Sequence, residues 1–156
     1  MAAPEILEVQ ADTAGPVVVH MGTLADAQSG WITLQPGVHP ADVPPPQTIF
    51  SRIFSGSGPP VPVCTWVAPD AKQKPPHPEV GILHASGSKA ERRLETAGTP
   101  IPDRWVVLSD HPRRGLVVAV HPEAPHDEVL AWLLSAGTAL TRIPVTGSWR
   151  VEVHRQ

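Results

Sequence analysis

Several residue types are rare or missing in this chain of 156 residues. A single cysteine, Cys64, excludes an intramolecular disulfide and a metal site built on paired cysteines. Tyrosine and asparagine are absent, and lysine is scarce beside alanine, glycine, proline and arginine. This bias is typical of a GC-rich genome, so we expect a bacterial or phage origin. No stretch approaches the roughly 20 apolar residues that a membrane-spanning helix needs, so no membrane partner is expected.

Charge is also scarce. Charged residues make up 17% of the chain and the formal net charge is -3. A nucleic-acid-binding domain normally carries a basic excess, so we expect no nucleic-acid partner. The first residues lack the basic and apolar regions of a signal peptide, which predicts a cytoplasmic location. Neither GxGxxG nor GxxxxGK[ST] occurs, and we expect no cofactor.

Proline and glycine are abundant, with 20 and 12 residues respectively. Proline fixes φ and removes a backbone donor, so its clusters predict surface loops at residues 36–46, 55–60 and 69–79. The segments on either side of these loops are too small for separate cores. We therefore predict a single domain over residues 1–156.

Most of the chain outside these loops predicts short strands. Alternating or β-branched apolar residues indicate strands at residues 5–10, 16–21, 31–34, 61–67, 80–85, 105–108, 116–121 and 149–153. The first two are predicted to form one hairpin, and residues 105–108 and 116–121 are predicted to pair as another around the loop 109–115. Residues 47–54 fit a strand and a short helix equally well.

Two segments predict helices. The main helix covers residues 125–141, since Pro125 suits a first turn and Pro144 marks the stop. A short helix covers residues 89–97, with Ser88 and Glu91 as a capping box. A strand, the main helix and a last strand in this order favour a parallel crossover. The predicted fold class is α+β, a mixed and mostly antiparallel sheet with the main helix packed on it.

The main helix has two apolar faces. At about 100° per residue, one side is a core stripe on which Gly137 would allow close approach to the sheet; the stripe consists of Leu130, Leu133, Leu134, Gly137 and Leu140. Trp132 falls on the other side, beside the small residues Ser135, Ala136 and Ala139. Either a proline-rich loop covers Trp132, or these four residues form a homodimer or partner interface.

A histidine-acid cluster precedes and opens the main helix; its ligand or metal candidates are His121, Glu123, His126 and Asp127. Imidazole and carboxylate groups suit a divalent metal, but the spacing matches no known metal signature. The alternative is a helix start with acids that favour the helix dipole.

Further candidates lie elsewhere. The turn Ser86, Gly87, Ser88 and Lys89 leads from a strand into the short helix, where free amides and basic side chains attract anions. Helix capping by the serines is the competing explanation. Four histidines precede prolines and would line a pocket if their loops gathered: His39, His77, His111 and His121. Cys64 lies in an apolar run and is predicted to be a buried structural thiol.

No set of residues meets the requirements of catalysis from the sequence alone. We therefore expect a non-catalytic binding or interaction protein that acts as a homodimer through the helix face around Trp132 and the adjoining loops. The alternative is a small enzyme or a ligand- or metal-binding protein with a histidine-lined pocket near His121 and His126.

Overall fold

The computed structural model describes residues 3–43 and 58–156. The described strands are β1 (Glu5–Gln10), β2 (Trp31–Val38), β3 (Val63–Val67), β4 (Glu79–Leu83), β5 (Val106–His111), β6 (Gly115–Ala119) and β7 (Val145–His154). The described helices are α1 (Gly15–Ala27), α2 (Ala90–Thr96) and α3 (His126–Ala139). Short 3-10 turns follow β1 and β2.

The seven strands form one sheet in the order β1-β7-β2-β3-β4-β6-β5. All pairs of neighbouring strands are antiparallel. The α+β fold class is confirmed, but the sheet is not mixed. β6 and β7 do run in the same direction across α3, as the predicted crossover requires. They are not neighbours, because β2, β3 and β4 lie between them.

One face of the sheet carries the core. Side chains on alternate strand positions are buried against the helices, as Ile32, Trp66 and Val151 illustrate. From the helices, Val17 and Leu133 belong to the same cluster. The opposite face presents more exposed side chains. α1 and α2 both contact α3, so α3 is the central helix of the layer.

Gly137 brings α3 close to the sheet, as the sequence predicts. A Cβ atom placed on Gly137 would lie 2.6 Å from Cys64 Sγ and 3.0 Å from Trp149 Cη2. Real Cβ atoms essentially never approach a neighbour below 3.0 Å, and the protein interior is close-packed. A side chain at this position would force α3 away from β3 and β7.

Replacing Gly137 by alanine should therefore destabilise the fold. We expect Gly137→Ala to lower the free energy of unfolding by about 1–3 kcal/mol through overpacking, measured by urea denaturation. Gly22→Ala is the matched control, because Gly22 lies inside α1 with nothing within 4 Å of its added Cβ. That change should raise stability by about 0.5–1 kcal/mol through helix propensity. Equal effects of the two variants would contradict the close approach.

The predicted hairpin of residues 5–10 and 16–21 is wrong, because α1 takes the place of the second strand. Residues 16–21 are predicted as a strand because Val17, Val18 and Val19 are β-branched, but they lie within a helix. Val17, Met21 and Leu24 are buried and follow the spacing of one helix face. Packing of that face on the core overrides the weak local preference.

The proline-rich segments also differ from their prediction. β2 continues through Pro36 and Gly37 to Val38, with a register shift between Pro36 and Val38 that accommodates the proline. Residues 69–78 form a loop, as predicted. The predicted element at residues 47–54 and parts of the loops 36–46 and 55–60 lie outside the described residues.

α2 is confirmed, but its cap is not the one that the sequence predicts. The N-cap residue is Lys89 with φ 65°, and no side chain of the cap residue bonds the helix. Asp110, at the end of β5, accepts hydrogen bonds from the backbone N–H groups of Ala90 and Glu91 at 3.1 Å each. A carboxylate from a distant strand thus replaces the Ser88 capping box.

The two caps are separable by mutation. Asp110→Ala should lower the free energy of unfolding by about 1–2 kcal/mol, since two helix N–H groups lose a charged acceptor. Ser88→Ala should change it by less than about 0.5 kcal/mol. Thermal or chemical denaturation of the two variants shows which residue caps α2. A larger effect of Ser88→Ala would contradict the Asp110 cap and support the predicted capping box.

Candidate functional site

Trp132 is covered by its own chain. Its side chain is 9% exposed, and its indole N–H donates a hydrogen bond to the Pro100 carbonyl at 2.9 Å. Trp105 packs edge-on against it with ring centroids 5.1 Å apart. The covering residues belong to the segment between α2 and β5, which is not one of the predicted proline-rich loops. Trp132 is not available as the anchor of an interface.

The other interface candidates do not form one exposed patch. Ala136 is fully buried, whereas Ser135 and Ala139 are exposed. The helix face therefore offers only two small exposed residues at these positions. Interfaces are usually anchored by large aromatic or arginine side chains.

The histidine-acid cluster does not converge either. His126 packs edge-on against Trp66, with ring centroids 5.9 Å apart. Asp127 accepts a hydrogen bond from the Glu128 N–H, and the Glu123 N–H donates to His121 Nδ1. Among the described residues, no group of three or more histidines, cysteines and acids is placed to hold a metal ion. The cluster serves the local geometry of the helix start.

Four histidines make the same kind of hydrogen bond to the backbone, which the sequence does not predict. In each case Nδ1 accepts a hydrogen bond from the backbone N–H two residues later, which closes a turn as an Asp or Asn side chain often does. The pairs are His39 with Ala41, His84 with Ser86, His111 with Arg113 and His121 with Glu123, at 3.1–3.2 Å. Three of these four histidines precede a proline. They are turn acceptors in separate loops.

A concave site does exist at the far end of α3. It is a groove of about 1100 Å³ between the turn after β4, one face of α2 and the segment that follows α3. We call it the basic groove. Its lining residues are Ala85, Ser86, Gly87, Ser88, Lys89, Arg92, Arg93, Thr96, Ala97, Pro112, Ala139, Thr141 and Arg142.

The charge of the basic groove is one-sided. Its four charged side chains are Lys89, Arg92, Arg93 and Arg142, and no carboxylate is among its described lining residues. Within the described part of the chain, none of these four forms a salt bridge. The protein as a whole has a net charge of -3. Such a local excess of positive charge attracts anions.

Helical spacing places the basic and the acidic side chains of α2 on different sides of the helix. Arg92, Arg93 and Thr96 share the face toward the groove, while Glu91 and Glu95 fall on another side of the helix. The backbone N–H groups of Ala90 and Glu91 at the start of α2 are not free for an anion, because both donate to Asp110. The four predicted anion candidates, Ser86, Gly87, Ser88 and Lys89, do line the basic groove.

Arg142 joins the two walls of the groove. Its Nη1 donates a hydrogen bond to the Ala85 carbonyl at 3.3 Å, which links the end of α3 to the turn after β4. Arg142 lies 57 residues from Ala85 in the chain. No local pattern around Arg142 indicates this contact, so the sequence alone does not reveal it.

His84 directly precedes the turn that lines the basic groove and is 1% exposed. Its Nδ1 lies 2.7 Å from Ser86 Oγ and accepts the Ser86 backbone N–H at 3.2 Å. The proton of neutral His84 therefore resides on Nε2, which is buried without a partner among the described residues. Burial lowers the pKa of His84; nearby Asp110 opposes this shift and Arg93 adds to it.

The contact between Ser86 and His84 lacks, among the described residues, the third group of a catalytic triad. A catalytic histidine needs a third group that orients it and stabilises its charged form. In the described structure Nε2 of His84 has no such partner. Because burial also lowers its pKa, His84 is a poor general base. Cys64 is equally unreactive, since burial raises its pKa to about 12.

No protein-family model, curated protein or solved structure matches the chain. Among the described helices, none has the length and apolar character required to cross a membrane. The functional inference therefore depends on the geometry of the basic groove.

Proposed function

We propose that this protein is a non-catalytic binding protein that holds a small ligand with two or more negative charges in the basic groove. The observation that carries the proposal is the convergence of four cationic side chains from two distant parts of the chain, residues 89–93 and Arg142, with no carboxylate among the described lining residues. A monoanion would leave most of this charge uncompensated, so a multiply charged ligand fits the groove better.

The size and the apolar lining support a small organic molecule. Small-molecule sites typically measure about 300–1000 Å³, and the groove of about 1100 Å³ is close to the upper limit. Its apolar lining consists of Ala85, Ala97, Pro112 and Ala139. These side chains would contact the carbon skeleton of the ligand, while the guanidinium groups bind its phosphate, sulfonate or carboxylate groups.

The proposal keeps the non-catalytic binding role that the sequence suggests and changes its location. Homodimerisation through α3 would depend on Ser135 and Ala139, because Trp132 and Ala136 are buried. Ala139 also lines the basic groove. A cytoplasmic location and a bacterial or phage origin remain predictions from the sequence.

Neutralising the groove should weaken anion binding. We expect Arg92→Gln and Arg93→Gln each to reduce the affinity for naphthalene disulfonate, a rigid dianion, about tenfold, since each removes one charge-assisted hydrogen bond. Isothermal titration calorimetry at neutral pH measures the affinity. In NMR spectra, the amide shifts caused by the probe should centre on residues 85–89 and on Arg142.

Arg104→Gln is the matched control, since it makes the same change of charge at an exposed position outside the groove. This variant should bind the disulfonate as the wild type does. The proposal is wrong if all three variants bind alike, or if the probe shifts amides elsewhere on the surface.

A further inference from the structure

We propose that His84 is a positioning residue that holds the rim of the basic groove only in its neutral form, so that acidification releases a bound anion. This inference rests on the proposed function and adds the regulation of that site. The rim is the turn of Ser86, Gly87, Ser88 and Lys89, which lines one side of the groove.

The hydrogen bonds of His84 require its neutral form. The backbone N–H of Ser86 is an obligatory donor, so the ring nitrogen that accepts it must lack a proton. Protonation of Nδ1 would place two N–H groups face to face and break this contact. The turn would then keep at most the contact between the Ser86 hydroxyl and the ring. The first residue of the rim loses its fixed position.

Burial couples protonation to opening of the rim. An imidazolium at a position that is 1% exposed, with Nε2 unpartnered in the described structure, would be a buried and poorly compensated charge. Such charges are strongly disfavoured in a protein interior, so the protonated form is favoured when His84 reaches solvent. Ser86 of the rim is bonded to the ring, so opening of the rim would bring His84 toward solvent.

The charged groups around His84 do not remove this coupling. Asp110 favours the imidazolium, but both its oxygens already accept N–H groups of α2. Arg93 disfavours the charged ring from α2. Arg142 is bonded to the neighbouring Ala85 carbonyl, and its positive charge opposes another cation nearby. His111 lies at the end of β5 beside Pro112 of the groove, with its own Nδ1 bound to Arg113 and Arg114.

The predicted direction is opposite to that of simple electrostatics. Adding positive charge beside the groove would by itself strengthen the binding of an anion. Release of the rim would weaken it, because the ligand would have to reorder the turn. By linkage, a saturating ligand should also lower the apparent pKa of His84, whereas direct attraction between the ligand and an imidazolium would raise it.

The test follows the affinity of the wild type for naphthalene disulfonate from about pH 7.5 to about pH 5, a window that extends well below the ordinary histidine pKa because burial lowers the pKa of His84. The charge of this probe is constant in that window. We expect binding to weaken at least about tenfold on acidification. His84→Asn should bind within about threefold of its neutral-pH affinity throughout, because an amide oxygen can accept the Ser86 N–H and does not titrate.

Two controls separate the alternatives. His121→Asn, at a turn outside the groove, should follow the wild type. His111→Asn shows whether the second histidine near the groove causes the acid effect, and removal of the effect by that variant would overturn the assignment to His84. Constant or stronger binding by the wild type at acid pH would also overturn it.

NMR titration of the wild-type imidazole groups provides a readout that does not depend on a stable variant. The His84 ring and the amides of residues 86–89 should titrate together, and the disulfonate should shift their midpoint to lower pH. A midpoint that rises with ligand contradicts the switch. Absence of binding at neutral pH would instead contradict the proposed function, so the two failures are distinguishable.

Discussion

The contact between α3 and the sheet at Gly137 sets the position of every other element on that face. With no side chain at this residue, α3 reaches Cys64 of β3 and Trp149 of β7. α1 and α2 then pack against α3, so the depth of α3 determines where they lie. The basic groove opens at the C-terminal end of α3, between the following segment and α2. A larger residue at Gly137 would thus shift one wall of the groove relative to the other.

The sequence predicts best where an element depends on its own residues. α3, α2 and the β5–β6 hairpin have local signals for their starts, ends and periodicity, and all three are confirmed. The sequence does not predict α1, because its valines favour a strand. Burial of Val17 and Met21 against the core stabilises the helix instead. β2 is predicted too short, since a proline and a glycine are accommodated by a shift in register that only the neighbouring strand β7 reveals.

In the basic groove, too, the sequence reveals the residues with local signals and misses the contacts between distant segments. The turn Ser86–Lys89 is visible in the sequence, and so are the two arginines of α2. Arg142 completes the groove from a segment distant in the chain, and Asp110 caps α2 from another strand. The strand order places β4, β6 and β5 side by side and so brings Asp110 of β5 to the start of α2. Trp132 fails as an interface candidate for a related reason, since Pro100 and Trp105 cover it from outside α3.

The histidines illustrate how one contact acquires different consequences from its surroundings. His39, His84, His111 and His121 all accept a backbone N–H through Nδ1, so each turn is stabilised by a neutral ring. At His39, His111 and His121 the rings are at exposed or partly exposed positions, so water can reach each ring and the N–H group that it accepts. His84 has no such access, because it is 1% exposed and its other nitrogen is buried. Protonation there would bury a charge unless the turn opens. Burial, and not the hydrogen bond alone, therefore distinguishes His84 as the residue through which pH would act on the groove.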